Sequence, residues 1–237
     1  REYLRDTKAV WPKFSCMPNK YLYDTNGIRR GMWTVSWFRD VLGDGFAKEA
    51  KAQGMSPEEL LSKEAENVPV GSDGLMTVLD WLAPVDARYK KGMMIGFDGR
   101  SDRAHIYRSI LEAVAMTMKR HVDDMTNEMG VTLDQVIITG GGSNSDLLMQ
   151  IFADVFGIRT VRNEVNGAAG LGSAICAAVA AGAYPTFEDA VKNMVRIKDG
   201  FEPNEENHKL YERIMPIYFD ITNHTDAILK KTYEIFE

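Results

Sequence analysis

Three consecutive glycines, Gly140, Gly141 and Gly142, form the segment of the sequence that is best suited to hold a ligand. They follow the apolar residues 136–138, and a helical pattern begins almost at once, at Ser145. Because glycine has no Cβ, the backbone can turn sharply here and approach a ligand closely. The helix that follows would offer unpaired N–H groups and a partial positive charge to an anion. This arrangement suits the phosphate of a nucleotide.

The same glycine turn has other interpretations. A tight turn between a strand and a helix also occurs without any ligand. A P-loop is excluded, because no Lys-Ser or Lys-Thr pair follows the glycines. A dinucleotide-binding (Rossmann) turn is a closer alternative, because Gly140-x-Gly142-x-x-Ser145 almost fits its fingerprint. Glu164 also lies about the right distance downstream, but the third glycine is missing and the sequence after Glu164 predicts helices almost throughout.

Apolar periodicity and turn residues predict the elements that must position this turn. The second half of the sequence alternates strand and helix, which is typical of an α/β protein. Its alanine-rich helix has a surface small enough to pack closely on a sheet. The predicted strands are residues 21–23, 75–82, 135–139 and 159–162, and the predicted helices are residues 34–41, 102–129, 145–156, 168–181 and 187–196, with two more that begin near Ser56 and Asn204.

Composition limits the classes of function that the sequence allows. The 237 residues can bury one good core or two small ones. A net charge of −6, without a basic segment interleaved with aromatics, argues against nucleic-acid binding. The sequence contains neither a bilayer-spanning apolar run nor a signal-peptide pattern, and Cys16 and Cys176 lack metal-ligand spacing. We therefore expect a cytoplasmic protein without a membrane or metal site, in which His105 packs at a helix start. Because the sequence begins at Arg1 within a pattern, we also expect it to be a domain of a longer protein.

Residues 136–177 resemble the C-terminal domain of FGGY-family carbohydrate kinases. That domain has a strand, then Gly-Gly-Gly-x-x-Ser, then a helix that ends in a segment like Leu-Ala-Asp-Val-Phe-Gly. Here residues 140–145 read Gly-Gly-Gly-Ser-Asn-Ser, and residues 151–157 read Ile-Phe-Ala-Asp-Val-Phe-Gly. Residues 170–174 read Gly-Leu-Gly-Ser-Ala, where the family has Ala-Leu-Gly-Ala-Ala.

Two further segments resemble the same family independently of the glycine turn. Residues 92–97, followed by residues 103–112, look like a second signature, in which a glycine-bearing strand leads into a long helix. The family's helix opens with Arg-Ala-His-Leu-Tyr-Arg, and residues 103–108 read Arg-Ala-His-Ile-Tyr-Arg. Residues 36–40, Ser-Trp-Phe-Arg-Asp, match an early helix of the family. Three matches in the family's order are far more specific than one glycine turn.

The resemblance implies an actin-like (ribonuclease-H-like) α/β domain, with a mixed sheet flanked by helices, that spans residues 1–237 as a single C-terminal domain. This domain would hold ATP, with Mg²⁺, against a separate N-terminal domain that binds a sugar, ketose or polyol. The resemblance places Gly141 near the α-phosphate and Ser145 near the adenosine, while Gly142 keeps the backbone close. The implied nucleotide-binding residues are Gly140, Gly141, Gly142, Asn144, Ser145 and Gly31. The resemblance also leaves room for a homodimer.

The sequence departs from the family pattern at three places. Gly167 stands where the family usually has Glu, and residues 83–85 replace a Gly-Glu-Arg-x-Pro segment. Met32 lies five residues before Trp37, where the family often has a glycine, and Gly31 is one residue away. These departures keep open the alternative of a degenerate actin-like module that binds or senses a nucleotide without kinase activity.

The resemblance places the chemistry outside this sequence. In the family, the catalytic aspartate and the acids that organise Mg²⁺ belong to the N-terminal domain. We therefore expect no catalytic residue in this chain, and no kinase activity from it alone.

Overall fold

Strands and helices alternate along the second half of the chain, as the sequence predicts. The computed structural model describes residues 7–17 and 19–236. The strands are β1 Trp11–Phe14, β2 Tyr21–Asp24, β3 Met76–Val78, β4 Met93–Ile95, β5 Gln135–Ile138, β6 Arg159–Asn163 and β7 Ile197–Phe201. The helices are α1 Gly31–Ala52, α2 Pro57–Ala65, α3 Arg103–Met129, α4 Asp146–Phe156, α5 Ala168–Ala180, α6 Phe187–Met194 and α7 Glu205–Phe236, with 3₁₀ turns at Ser72–Gly74 and Gly141–Asn144.

The chain divides into two units, each with its own sheets and helices. The first unit consists of the described residues of Arg1–Gly27 together with Lys119–Ala153 and Ile158–Pro203. The second consists of Ile28–Met118 and Asp154–Gly157, together with the described residues of Asn204–Glu237.

A three-stranded sheet in the first unit positions the glycine turn. Its strand order is β5-β6-β7, in which β5 and β6 are parallel and β6 and β7 are antiparallel. Helix α4 makes the connection between the two parallel strands. Because both strands run the same way, the glycine turn after β5 and the loop after β6 lie at the same edge of the sheet. In open α/β sheets, ligands bind at the carboxyl ends of the strands, which is this edge.

The prediction of helices almost throughout after Glu164 is wrong at β7. This strand contains Lys198, Asp199 and Gly200, and none of its residues is buried. It forms because β6 offers an antiparallel partner, with Val161 opposite Gly200. Pairing with a distant strand has overridden a weak local preference.

Two predicted boundaries are also wrong. The strand predicted over residues 75–82 is only Met76–Val78, because its partner β4 is equally short and the ladder ends where Val78 pairs with Met93. The helix predicted over residues 34–41 is longer, since α1 runs from Gly31 to Ala52 with a kink at Gly43, where φ is 72° and ψ is −174°.

The alanine-rich helix does not show the close packing that the sequence suggests. Only Ile175 is buried among the residues of α5, and this helix contacts α6. Most of its small side chains are partly or fully exposed.

A buried carboxylate organises the second unit. The side chain of Glu112, on α3, is only 3% exposed. It accepts hydrogen bonds from the Gly71 N–H at 2.9 Å, the Arg108 Nε at 3.0 Å, the Ser72 hydroxyl at 2.9 Å and the Tyr211 hydroxyl at 2.9 Å. One side chain therefore ties the loop before β3 and helix α7 to helix α3.

We expect Glu112→Gln to lower the free energy of unfolding by roughly 3–5 kcal/mol, because it leaves the Arg108 guanidinium buried without its charged partner. The matched control is Asp123→Asn on the same helix. Its ion pair with Lys119 is partly exposed, so we expect a loss of only about 0–1 kcal/mol. Urea unfolding of both variants measures the difference. Equal losses would show that the buried cluster does not hold the unit together.

Candidate functional site

The first residue of the glycine turn has a backbone that glycine alone adopts readily. Gly140 has φ 83° and ψ −177°, which is strained for any residue with a Cβ. Its N–H donates to the carbonyl of Asn166 at 2.7 Å, across to the loop after β6. Its own carbonyl accepts from the backbone N–H of Ser143 at 3.1 Å and from the Ser143 hydroxyl at 2.7 Å. These bonds fix the direction in which the chain leaves β5.

The next residues form a short 3₁₀ turn, Gly141–Asn144, whose first N–H groups are available to a ligand. The first N–H groups of a helical turn have no acceptor within the turn. Among the described residues, no backbone acceptor is seen for the N–H of Gly141 or Gly142. A Cβ added to Gly140 or Gly141 would meet no atom within 4 Å. The φ of Gly141 is not positive, so neither packing nor backbone strain within the described residues requires glycine there. Close approach of a ligand is a physical reason that remains.

Two polar side chains complete the turn. The Ser145 Oγ accepts the Leu148 N–H at 3.2 Å, which caps the start of α4. Asn144 is exposed, and its Oδ1 accepts from the Asn166 Nδ2 at 3.0 Å. The structure therefore gives Ser145 a structural role as a helix cap, and its position near adenosine stays a prediction.

A buried arginine, which the sequence did not predict, holds the turn through a hydrogen bond to a backbone carbonyl. The side chain of Arg162, on β6, is only 7% exposed. Its Nη1 donates to the Ser143 carbonyl at 2.7 Å, and its Nε and Nη2 donate to the two carboxylate oxygens of Asp199 at 2.7 Å and 2.8 Å. Its Nη2 also lies 2.7 Å from Asp146, in the first turn of α4. The hydrogen bonds from the Arg162 guanidinium hold the pKa of Asp199 below its usual value. An arginine within a strand whose neighbours are Thr160 and Val161, both buried, is the signal that could have indicated such a partner.

Gly31 does not belong to the same turn. It lies in the second unit as the first residue of α1, where it is buried, and an added Cβ would lie 3.2 Å from Ile28. Packing against Ile28 therefore gives this glycine a role of its own. The predicted residues of the 140–145 segment lie together on one turn, whereas Gly31 is on a different element in a different unit.

Gly167, which departs from the family pattern, lies at the start of a helix in open space. It is the N-cap residue of α5 and makes no side-chain capping bond. An added Cβ would meet nothing within 4 Å. Crowding at the Cβ position therefore does not require glycine here.

The second unit contains a separate cavity. Its volume is about 480 Å³. It is lined by Trp37, Asp80, Trp81, Lys91, Gly92, Met93 and Met94. Burial raises the pKa of Asp80. None of the predicted nucleotide-binding residues lines this cavity.

Neither a metal-binding cluster nor a membrane-spanning helix is found among the described residues. In the described part of the chain, no three His, Cys, Asp or Glu side chains gather into a group that could hold a metal ion. Within the same residues, no helix combines the length and apolarity that crossing a membrane requires.

Comparison with known proteins identifies the family to which this α/β chain belongs. The C-terminal-domain model of the FGGY family of carbohydrate kinases matches residues 1–181. The chain belongs to this family. It is 56% identical over 232 residues to the uncharacterized sugar kinase YgcE of Escherichia coli (strain K12). These residues make up 98% of this chain and 47% of that protein. The chain thus spans about half the length of this curated relative.

Solved structures share the fold. The xylulose kinase of Rhodospirillum rubrum superposes with a TM-score of 0.76 at 22% identity, over 96% of this chain and 44% of its own. The glycerol kinase of Plasmodium falciparum, whose crystal structure was determined with ADP, gives a TM-score of 0.67 at 20% identity, over 86% of this chain and 38% of its own. The predicted actin-like fold is confirmed, and kinase-family membership replaces the dinucleotide-binding alternative.

We expect Gly141→Ala to change the free energy of unfolding by less than about 0.5 kcal/mol, because the added methyl group meets no neighbour. Gly140→Ala is the matched comparison, and we expect it to cost about 1–3 kcal/mol because of its positive φ. Chemical unfolding of the two variants tests this difference. A large loss in Gly141→Ala would mean that this glycine is needed for folding and not for a ligand.

Proposed function

We propose that this chain is the nucleotide-side, C-terminal domain of an ATP-dependent carbohydrate kinase. The complete enzyme would transfer a phosphoryl group to a hydroxyl of a sugar, ketose or polyol. The observation that carries the proposal is the open glycine turn, in which Gly141 and Gly142 lie at the carboxyl edge of a parallel strand pair. Within the described part of the chain, their N–H groups have no backbone acceptor. Family membership supports the same conclusion.

The residues of the turn fit the phosphates of ATP. Backbone N–H groups at the start of a helical turn bind anions well, since the dipole there favours negative charge. The space beside Gly140 and Gly141 is empty, so a phosphate can approach the backbone to hydrogen-bond distance. When bound, ATP supplies the phosphoryl group, and the turn's own work is to hold and orient its phosphates. Phosphoryl transfer depends mainly on such positioning and on neutralising charge.

The described residues do not fit Mg²⁺. No cluster of three acidic or metal-binding side chains is present among them, and a kinase Mg²⁺ is normally held by carboxylates and phosphates. We therefore assign the Mg²⁺ ligands, together with the base that activates the sugar hydroxyl, to an N-terminal domain. On this proposal, residues 1–237 act as one domain, the N-terminal domain and the bound sugar are its partners, and the chain alone has no kinase activity.

A degenerate module that binds a nucleotide without turnover is the second candidate. Gly167 and Met32 favour it, since both stand where the family carries residues associated with the nucleotide. Under this alternative, the turn would still bind ADP or ATP, but no sugar would be phosphorylated.

We expect a protein that joins the N-terminal half of the Escherichia coli relative to this chain to phosphorylate at least one member of a panel of sugars, ketoses and polyols. Coupled detection of ADP release measures this activity.

We expect Gly141→Ala to lower kcat/KM for ATP by about tenfold or more, because its methyl group enters the space left for phosphate. The control is Gly27→Ala, which also adds a methyl group to open space and should change kcat/KM by less than about twofold.

Each outcome separates the candidates. Activity that falls in Gly141→Ala but not in Gly27→Ala supports the kinase proposal. Binding of ADP without turnover of any sugar supports the degenerate module and contradicts the kinase proposal. Absence of both binding and turnover contradicts both candidates.

A further inference from the structure

We infer that Arg162 is a positioning residue for the nucleotide, because it fixes the peptide that follows Gly141 and Gly142 without touching the ligand itself. The inference rests on the proposed function of the glycine turn. The observation that supports it most directly is the hydrogen bond of 2.7 Å from the Arg162 Nη1 to the carbonyl of Ser143, the residue after Gly142. Since a peptide unit is planar, fixing this carbonyl also fixes the Cα atoms of Ser143 and Asn144 on either side of it, and so the point at which the chain leaves Gly142.

The arginine is itself held rigidly. Its Nε and Nη2 donate to both oxygens of Asp199, at 2.7 Å and 2.8 Å, in the bidentate geometry that suits a guanidinium. The guanidinium carbon lies 5.3 Å from the centre of the Phe201 ring, on the same strand as Asp199. Contacts with Asp199 and Phe201 of β7 thus orient the Arg162 side chain, and the oriented guanidinium holds the Ser143 carbonyl of the glycine turn.

The segment that carries Arg162 holds the turn at a second point. Four residues further on, the carbonyl of Asn166 accepts the N–H of Gly140 at 2.7 Å. The Asn166 side chain donates to the Oδ1 of Asn144 at 3.0 Å. The turn is therefore fastened at its first residue, at its middle and at its last residue. Such a turn is formed before the ligand arrives, and preorganisation of this kind strengthens binding by avoiding the cost of ordering the loop.

Charge gives the arginine a second effect on an anionic ligand. Arg162 pairs with two carboxylates, Asp199 and Asp146, and Asp146 follows the turn directly as the first residue of α4. Without the guanidinium, both carboxylates would be uncompensated near the phosphates and would repel them. Lysine would keep one positive charge but cannot reproduce the forked contacts to Asp199 and Ser143.

Calorimetric titration of the chain with ADP and with adenosine tests this inference. We expect Arg162→Met to raise the Kd for ADP about tenfold or more and the Kd for adenosine less than about twofold, since the turn's N–H groups bind phosphate. Arg162→Lys is the second variant, which keeps the buried charge, and we expect it to raise the Kd for ADP by about threefold or more. The matched control is Arg159→Met on the same strand. Arg159 pairs with the exposed Glu202, so both Kd values should change by less than about twofold.

The outcomes distinguish this inference from the proposed function. If the unmodified chain binds no ADP, the proposed function fails. If it binds ADP and both Arg162 variants bind ADP equally well, the inference fails while the proposed function stands. Equal weakening of ADP and adenosine would also overturn the inference, because it would indicate a general loss of structure. Should Arg162→Met fail to fold, the result for Arg162→Lys decides.

Discussion

The candidate site depends on one backbone constraint, the conformation of Gly140. Its φ of 83° and ψ of −177° turn the chain sharply as it leaves β5. This turn presents the N–H groups of Gly141 and Gly142 at the sheet edge and places Ser145 where it caps α4. The hydrogen bond from the Gly140 N–H to Asn166 and the one from Arg162 to the Ser143 carbonyl both depend on this backbone conformation. A residue with a Cβ at position 140 would strain all of them together.

Several residues of the family-like segment serve the fold and not the ligand. Asp154 is buried, and its carboxylate accepts the Asn204 N–H and the Asn207 Nδ2, each at 2.8 Å, so that it fastens the start of α7. Gly157 has φ 67°, and an added Cβ would lie 2.5 Å from the His208 ring. The segment thus combines an open glycine turn at its start with structural anchors at its end. Resemblance over the whole segment is therefore stronger evidence for the fold than for the binding of a nucleotide.

Elements with strong local signals could be predicted from the sequence. The apolar periodicity of α3 and α4 and the glycines that follow them, Gly130 and Gly157, identify these helices, and both glycines have positive φ. Strand β7 could not be predicted, because its partner β6 lies more than thirty residues earlier and its three central residues are polar or glycine. Arg162 was missed for the same reason, since Asp199 becomes its partner only through that pairing. The glycine turn itself was found because its conformation is encoded locally, by the absence of side chains.

The central claim, that the glycine turn binds a nucleotide phosphate, is tested most directly by nuclear magnetic resonance of the chain labelled with ¹⁵N at its 20 glycines. During titration with ADP, the account predicts that the amide signals of Gly141 and Gly142 shift most, because their N–H groups would gain phosphate acceptors. The signals of Gly130 and Gly182, which follow α3 and α5, should stay nearly unchanged. If saturating ADP left the signals of Gly141 and Gly142 unshifted, or shifted them less than those of Gly130 and Gly182, the account would be contradicted.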